Sequence, residues 1–327
     1  MMKAERIGQV EVDVVDKVII TTLIDNYVDV FLPGTDSIER WGPPDLVPGE
    51  TVSYGTSPPL MAEHGLSLLI EAYQGNQAQS FLFDAGFTKE GVPHNLGKLG
   101  IDISEISSII ISHGHPDHTA AITEILKTAE KKIPVVTHPS AFLKRYLVFP
   151  DGSRLLSNTF TEKTLEEAGA EVVLSKEVTS LGPGVMATGE IDMLNDFELH
   201  FPLAYYEHSG KMEKDLFPDE KSLIINLKGK GLIILSGCSH RGIINTIEYA
   251  KRITGIDQVY AVLGGFHLTG TTPIERITRT VEEMKRIGPQ FVVPTHCTGW
   301  KAMNMFAHVM PDNFLLNAVG TRFILNS

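Results

Sequence analysis

Apolar residues along this chain fall into two patterns. Short unbroken runs at 18–24, 66–72, 80–86, 107–111, 134–138, 222–227, 231–237, 259–263 and 290–294 are rich in β-branched residues and bounded by turn formers, which predicts buried strands. Stretches at 119–131, 243–253 and 273–287 space their apolar residues three and four apart, which predicts helices, and a short helix is expected over 95–99. Gly75-Asn76 joins two of the runs as a hairpin. Strand 107–111, helix 119–131 and strand 134–138 read as a right-handed β-α-β unit, and the second half of the chain follows a similar order. Residues 197–220 mix Phe, Tyr, His, Met and Lys without a period, which predicts a mobile or substrate-covering loop. The Pro- and Gly-rich stretch 33–59 reads as a long ordered loop.

Composition narrows this picture. The chain has 327 residues, yet no linker, repeat or charge block divides it. One α/β domain over 1–327 is expected, with an insertion at about 30–60 and a lid at about 197–220. The net charge of −12 comes with no compensating basic cluster, so nucleic acid is a poor partner. No run approaches the roughly 20 apolar residues that span a bilayer, and residues 1–15 lack a signal-like stretch. A cytoplasmic protein without a membrane partner follows, with a homodimer left open. Two cysteines, Cys238 and Cys297, are too few for a disulfide framework and suit a reduced or metal-associated role.

The candidate chemistry is concentrated at His113-Gly-His115-Pro-Asp117-His118, directly after the 107–111 run. Imidazole and carboxylate are ligands for zinc and related divalent ions. Residues two apart followed by an adjacent pair cannot all face one ion from a regular strand. A turn containing Gly114 and Pro116 can divide them between two neighbouring ions, which together clamp an oxyanion. His64, His94, His138, His200, His208 and His308 read as surface or packing residues.

His113, His115, Asp117 and His118 match the H-x-H-x-D-H signature of the metallo-β-lactamase superfamily, which this chain resembles from about Leu66 to Thr298. The resemblance implies an αβ/βα four-layer sandwich of two mixed β-sheets with metal at the sheet edge. It implies that His113 and His115 serve the first metal, that Asp117 and His118 serve the second, and that His296 completes the second. Asp84, ending Phe-Leu-Phe-Asp, would orient a ligand imidazole. Zinc, as one or two ions, is the expected cofactor, with iron, manganese or magnesium as alternatives.

Two departures narrow the resemblance. Most members place a bridging aspartate where this chain has Cys238, whose thiolate can take that place or remain a small buried side chain. Many relatives also supply a third-motif histidine to the first metal, whereas the matching segment here, Ala187-Thr-Gly-Glu-Ile191, offers only Glu190, as a ligand or as an outer partner. His240 and His267 end strands on the presumed active edge and are expected to hold a substrate phosphate, His267 also to donate a proton. Asp117 would orient or deprotonate the nucleophile.

The segments 237–242, 264–268 and 294–299 are more specific, and resemble the dihydropterin-methyl-(ribofuranosyl)aminobenzene-phosphate synthases and bacterial metallo-hydrolases related to them. Such a synthase joins a pterin methyl diphosphate to an arylamine carrying ribose phosphate, displacing diphosphate. The substrate expected is thus a small, phosphorylated molecule. The alternative is a hydrolase of a phosphoester or acyl ester. A redox di-iron protein is disfavoured because those relatives resemble H-x-E-x-D-H and carry a flavin domain; a scaffold that kept only the fold is the remaining reading.

Overall fold

A computed structural model describes residues 10–42, 59–157, 160–198 and 201–327. Much of the expected 30–60 insertion, and His200, lie outside the described residues. Among those described, an eight-stranded mixed sheet runs in the order Ile38–Glu39, Arg322–Asn326, Lys17–Ile24, Ser67–Gln74, Gln77–Phe83, Ile106–Ile110, Ile133–Thr137, Ala170–Leu174. A six-stranded mixed sheet runs Thr179–Gly182, Val185–Ala187, Ser222–Leu227, Gly231–Ser236, Val259–Gly265, Phe291–Thr295.

The alternation of side chains explains why these sheets stack. Leu66, Leu68, Ile70, Phe81, Phe83 and Ile110 share one core with Leu223, Ile225, Ile233, Leu235, Leu263 and Val293. Their neighbours Leu69, Leu82, Ile109 and Ile111 point the other way, into a second core with residues of the helices Gly91–Leu99, Ile122–Thr128 and Glu162–Glu167. Ile224, Ile234 and Val262 likewise meet the helices Ile243–Thr254, Ile274–Ile287 and Trp300–Val309. Strands apolar on both faces need a cover on both faces. The outcome is the expected helix, sheet, sheet, helix sandwich.

Several elements differ from expectation. The 119–131 helix is split into Pro116–Thr119 and Ile122–Thr128, and it begins three residues early because Pro116 occupies the first helical turn. Asp117 and His118 therefore sit on that turn rather than in a free loop. Residues 197–220 are not irregular throughout. Strands Ala204–His208 and Lys211–Lys214 form an antiparallel hairpin that joins Arg145–Val148 and Arg154–Leu156 in a third, four-stranded sheet. The segment after the hairpin is buried at Asp215, Phe217, Asp219, Glu220 and Lys221. The helix Trp300–Val309 and the strand Arg322–Asn326 had no clear signal in the apolar pattern. No helix among the described residues is long and apolar enough to cross a membrane.

Candidate metal centre and active site

Strands 17–24, 77–83 and 106–110 point their C-terminal ends to one edge of the first sheet, and 231–236, 259–265 and 291–295 run parallel in the second. The residues just beyond these ends are Asp25, Asp84, His113, Cys238, His267 and His296. Gly114 permits the first ligand turn, since a Cβ there would lie 1.9 Å from the Ala141 carbonyl oxygen. Gly237 permits the two sheets to meet, since its Cβ would lie 2.2 Å from Ser112 Oγ.

Two ligand groups result. In the first, His113 Nε2 lies 3.0 Å from His115 Nδ1, and His240 Nε2 lies 3.3 and 3.2 Å from these two nitrogens. In the second, His118 Nε2 lies 3.2 Å from Cys238 Sγ and 3.8 Å from Asp117 Oδ2, and His296 Nε2 lies 3.3 Å from the same carboxylate oxygen. Within each group the ligand atoms all fall within 4.8 Å of one another. Cys238, His240 and His267 form a third, overlapping group.

Asp84 organises both loops. Its Oδ1 accepts from Ser112 N at 2.7 Å, and its Oδ2 accepts from Ser112 Oγ at 2.7 Å and from His118 Nδ1 at 2.6 Å. With its hydroxyl proton given to Asp84, Ser112 Oγ accepts from His113 Nδ1 at 2.9 Å. His113 thus carries its proton on Nδ1 and turns an Nε2 lone pair inward, while Asp84 holds the Nδ1 proton of His118 and leaves Nε2 as the nitrogen a metal can take. His296 is fixed from the other side. Asp25 Oδ1 accepts its backbone N–H at 2.9 Å, Asn26 Nδ2 donates to its carbonyl at 3.2 Å, and Asn317 donates to Asp25 Oδ2 at 2.8 Å.

This donor set fits a divalent ion. Burial pushes His113 and His240 well below the ordinary imidazole value and His115 to about 3, so these three are neutral, as ligands must be. Three nitrogens in mutual contact on neutral rings offer lone pairs that one cation can bind together. Among the described residues His296 Nε2 is buried without a hydrogen-bond partner. Burial opposes charge on His118, but Asp84 and Asp117 outweigh it and raise His118 to about 9. The negative field that favours a proton there equally favours a metal ion. Asp117 is held below the usual carboxylate range, since His118 and His296 overcome its burial.

Glu190 is not brought to either group. Its Oε1 lies 3.1 Å from His138 Nε2 and 3.9 Å from Lys176 Nζ, with the side chain half exposed. It sits just beyond strand 185–187, two positions removed in the sheet from strand 231–236. His240 occupies the place beside His113 and His115 instead. His267 lies against His240, ring centroids 4.2 Å apart, and against Phe201 at 5.3 Å; its Nδ1 is buried and has no hydrogen-bond partner among the described residues. Sequence reasoning passed over His64, whose exposed ring lies 4.9 Å from that of His296 and whose Nε2 is 3.9 Å from Asp117 Oδ2. It also missed Asp25, although an acid ending an apolar strand is the same signal that marked Asp84.

Comparison with known proteins agrees with this geometry. The family model described as the metallo-beta-lactamase superfamily matches residues 61–190. A 7,8-dihydropterin-6-methyl-4-(beta-D-ribofuranosyl)-aminobenzene-5'-phosphate synthase of Methanocaldococcus jannaschii is 37% identical over 265 residues, 80% of this chain and 89% of that protein. An uncharacterized protein of the same organism, MJ0448, is 31% identical over 79% of this chain and 92% of its own length. The crystal structure of Tm1679, a metal-dependent hydrolase of the beta-lactamase superfamily, superposes with a TM-score of 0.73 at 23% identity, covering 95% of this chain and all of that one. At that identity the last match speaks for the fold alone. By its sequence relatives and its fold, the chain belongs to the metallo-beta-lactamase superfamily and is an enzyme of it, in a family whose chemistry implies a metal ion.

Proposed function

We propose that this enzyme is a synthase that joins a pterin methyl diphosphate to an arylamine bearing ribose phosphate. The observation that carries this reading is the 37% identity to the methanogen synthase, which extends over nearly all of that protein. In the reaction a C–N bond forms between the amine and the pterin methyl carbon, and the C–O bond to diphosphate breaks. We assign one zinc ion to His113, His115 and His240 and a second to Asp117, His118, Cys238 and His296. Bound there, zinc supplies Lewis acidity toward the oxyanion of the departing diphosphate.

The chain's own residues divide the remaining work. Asp117, kept anionic by its imidazole neighbours, is too weak a base to take a proton and serves to orient. His267 would receive the amine proton, through the Nδ1 that has no hydrogen-bond partner among the described residues. His64, exposed beside Asp117, offers an N–H to the leaving group at the mouth. The hairpin 204–214 is the candidate cover that keeps water from competing with the amine.

The test is a turnover assay with the zinc-loaded protein. Diphosphate release that requires both the pterin diphosphate and the arylamine, with a coupled pterin–amine product by mass spectrometry, supports the synthase. Diphosphate release at the same rate without the amine, or turnover of simple phosphodiesters only, would replace it with the hydrolase reading.

A further inference from the structure

The turn Asp219-Glu220 reaches both histidine loops of the first group. Asp219 Oδ2 accepts from the backbone N–H of Gly114, between His113 and His115, at 2.9 Å. Glu220 accepts from the backbone N–H of His240 through Oε1 and from that of Arg241 through Oε2. The neighbouring Lys221 N–H donates to Ser112 O at 2.8 Å, which ties the same segment to the residue before His113. Both carboxylates are wholly buried.

Burying a carboxylate costs several kcal/mol unless something offsets it. For Asp219 the offset is Arg145, whose Nη2 lies 2.7 Å from Oδ1 while its Nε bonds Asp215 at 2.6 Å. Glu220 lies in the field of Arg241, and its two oxygens accept from backbone N–H groups of the ligand loop. Phe217, from the same segment, stacks on the His240 ring with centroids 4.1 Å apart and planes 9° apart. Loop N–H groups can be satisfied by water at far lower cost. Two adjacent buried acids, each bonded to one of two loops far apart in sequence, do something water cannot, which is to fix the loops relative to each other.

We propose that Asp219 and Glu220 are positioning residues that set the spacing between the His113–His115 loop and the His240 loop, and so the affinity of the first ligand group for its ion. In the second group His118 is held by Asp84 and His296 by Asp25, neither of which belongs to the acidic turn. Loss of the acidic turn therefore weakens one ion and spares the other. This rests on the assignment of the two groups as metal sites.

Cobalt(II) separates the two. In the full-length protein, total cobalt per chain is counted by mass spectrometry after equilibrium dialysis, while the thiolate-to-cobalt charge-transfer band reports the Cys238 group alone. Glu220→Ala is expected to weaken the first ion by about 10- to 100-fold, as loss of an outer partner does, with the thiolate band intact. Glu220→Gln and Asp219→Asn keep one acceptor oxygen each and should lose several-fold less. Two ions held at unchanged affinity in Glu220→Ala would overturn the proposal, as would parallel loss of both ions and the thiolate band. Should Glu220→Ala fail to fold, the two amide variants decide: selective weakening of the first ion supports the proposal, and unchanged affinity in both defeats it. A wild-type chain that binds only one cobalt overturns the two-group assignment itself, and the proposal with it.

Discussion

Replacing Asp84 by Asn changes one atom and should invert the chemistry of His118. Asn tolerates the positive φ of 63° found at this position better than most residues, so the backbone can stay as it is. The carboxylate accepts three hydrogen bonds, from Ser112 N, Ser112 Oγ and His118 Nδ1, whereas an amide can accept only on its oxygen. With that oxygen on Ser112 N, the amide NH2 faces His118 Nδ1. The imidazole must then accept there and carry its proton on Nε2, the nitrogen turned toward Cys238. A protonated Nε2 cannot bind a metal.

The magnitude follows from the charge as well as the tautomer. Raising His118 from 6.5 to about 9 corresponds to roughly 3 kcal/mol of preference for the imidazolium in the folded, metal-free protein. Because the folded value is raised, that stability is fully present below pH 6.5 and is lost as pH rises through about 9. Asp84 is the stronger of the two acids that hold the value up. Asp84→Asn should therefore destabilise metal-free protein by up to about 3 kcal/mol at pH 6, with a smaller difference at pH 10. Zinc affinity at the second group should fall at least 10- to 100-fold. Urea unfolding at the two pH values gives the first quantity, zinc competition with a chromophoric chelator gives the second, and ¹⁵N chemical shifts of the imidazole report the tautomer. Wild-type zinc affinity with the proton still on Nδ1 would refute the reasoning.

Loading metal-free protein with zinc at pH 7.5 should release about two protons, one from His118 Nε2 and one from the Cys238 thiol, which burial beside Cys297 holds well above its ordinary value. His113, His115, His240 and Asp117 are already deprotonated, so an indicator dye that reports no release would contradict the assigned ligands. His64→Ala should lower kcat/KM by about 10- to 100-fold, the range for one hydrogen bond to a charged group, without loss of zinc. His64→Gln, which keeps an N–H donor, should recover part of it in the same steady-state assay. Glu198 is buried and accepts from Ile244 N at 3.0 Å and Asn245 N at 2.8 Å, at the start of the Ile243–Thr254 helix. Glu198→Ala orphans both donors and should cost about 2–4 kcal/mol in denaturant unfolding; a change under 0.5 kcal/mol, roughly what a surface substitution gives, would remove the capping role.

What the sequence could reveal depended on distance along the chain. His113, His115, Asp117 and His118 stand within six positions, and the strand before them is apolar on both faces, so site and sandwich could be read together. His240 was legible in principle. It follows Cys238 by two positions in a turn, the same spacing that divides His115 and Asp117 between two groups, and the argument used for the first loop applies equally to the second. Glu190 drew attention only by position in a motif, and the half-exposed bond to His138 explains its charge without a metal. Asp25, Asp219 and Glu220 accept from backbone N–H groups 20 to 271 residues away, which leave no trace in residue type, and Asn317 reaches Asp25 by a side-chain bond across 292 residues. The hairpin 204–214 was obscured for another reason: its strands are exposed on much of their surface and so lack the apolar runs that mark buried ones.

Backbone strain shows what the fold sacrifices at this edge. Among the described residues six that are not glycine have positive φ: Asp84, Ser209, Phe217, Ser239, His267 and His296. All but Ser209 carry, or directly touch, the two ligand loops and the strand ends beside them. Left-handed backbone is unfavourable for bulky side chains, and persists where surrounding contacts over-determine it, at a cost of about 1–3 kcal/mol per residue. Here those contacts are visible. Ser239 Oγ donates to Gly265 O at 2.7 Å and sits 2.6 Å from Ser236 Oγ, Asp84 is held by three hydrogen bonds, and His296 by Asp25 and Asn26. A left-handed residue directly after a strand breaks the pleat and redirects the chain. At Asp84 and His296, each the first residue after its strand, this break helps to bring carboxylate and imidazole to one volume. Apart from Ser209 in the hairpin turn, the strain lies where chain direction must break for ligands to converge, and the three apolar cores supply the stability that holds it.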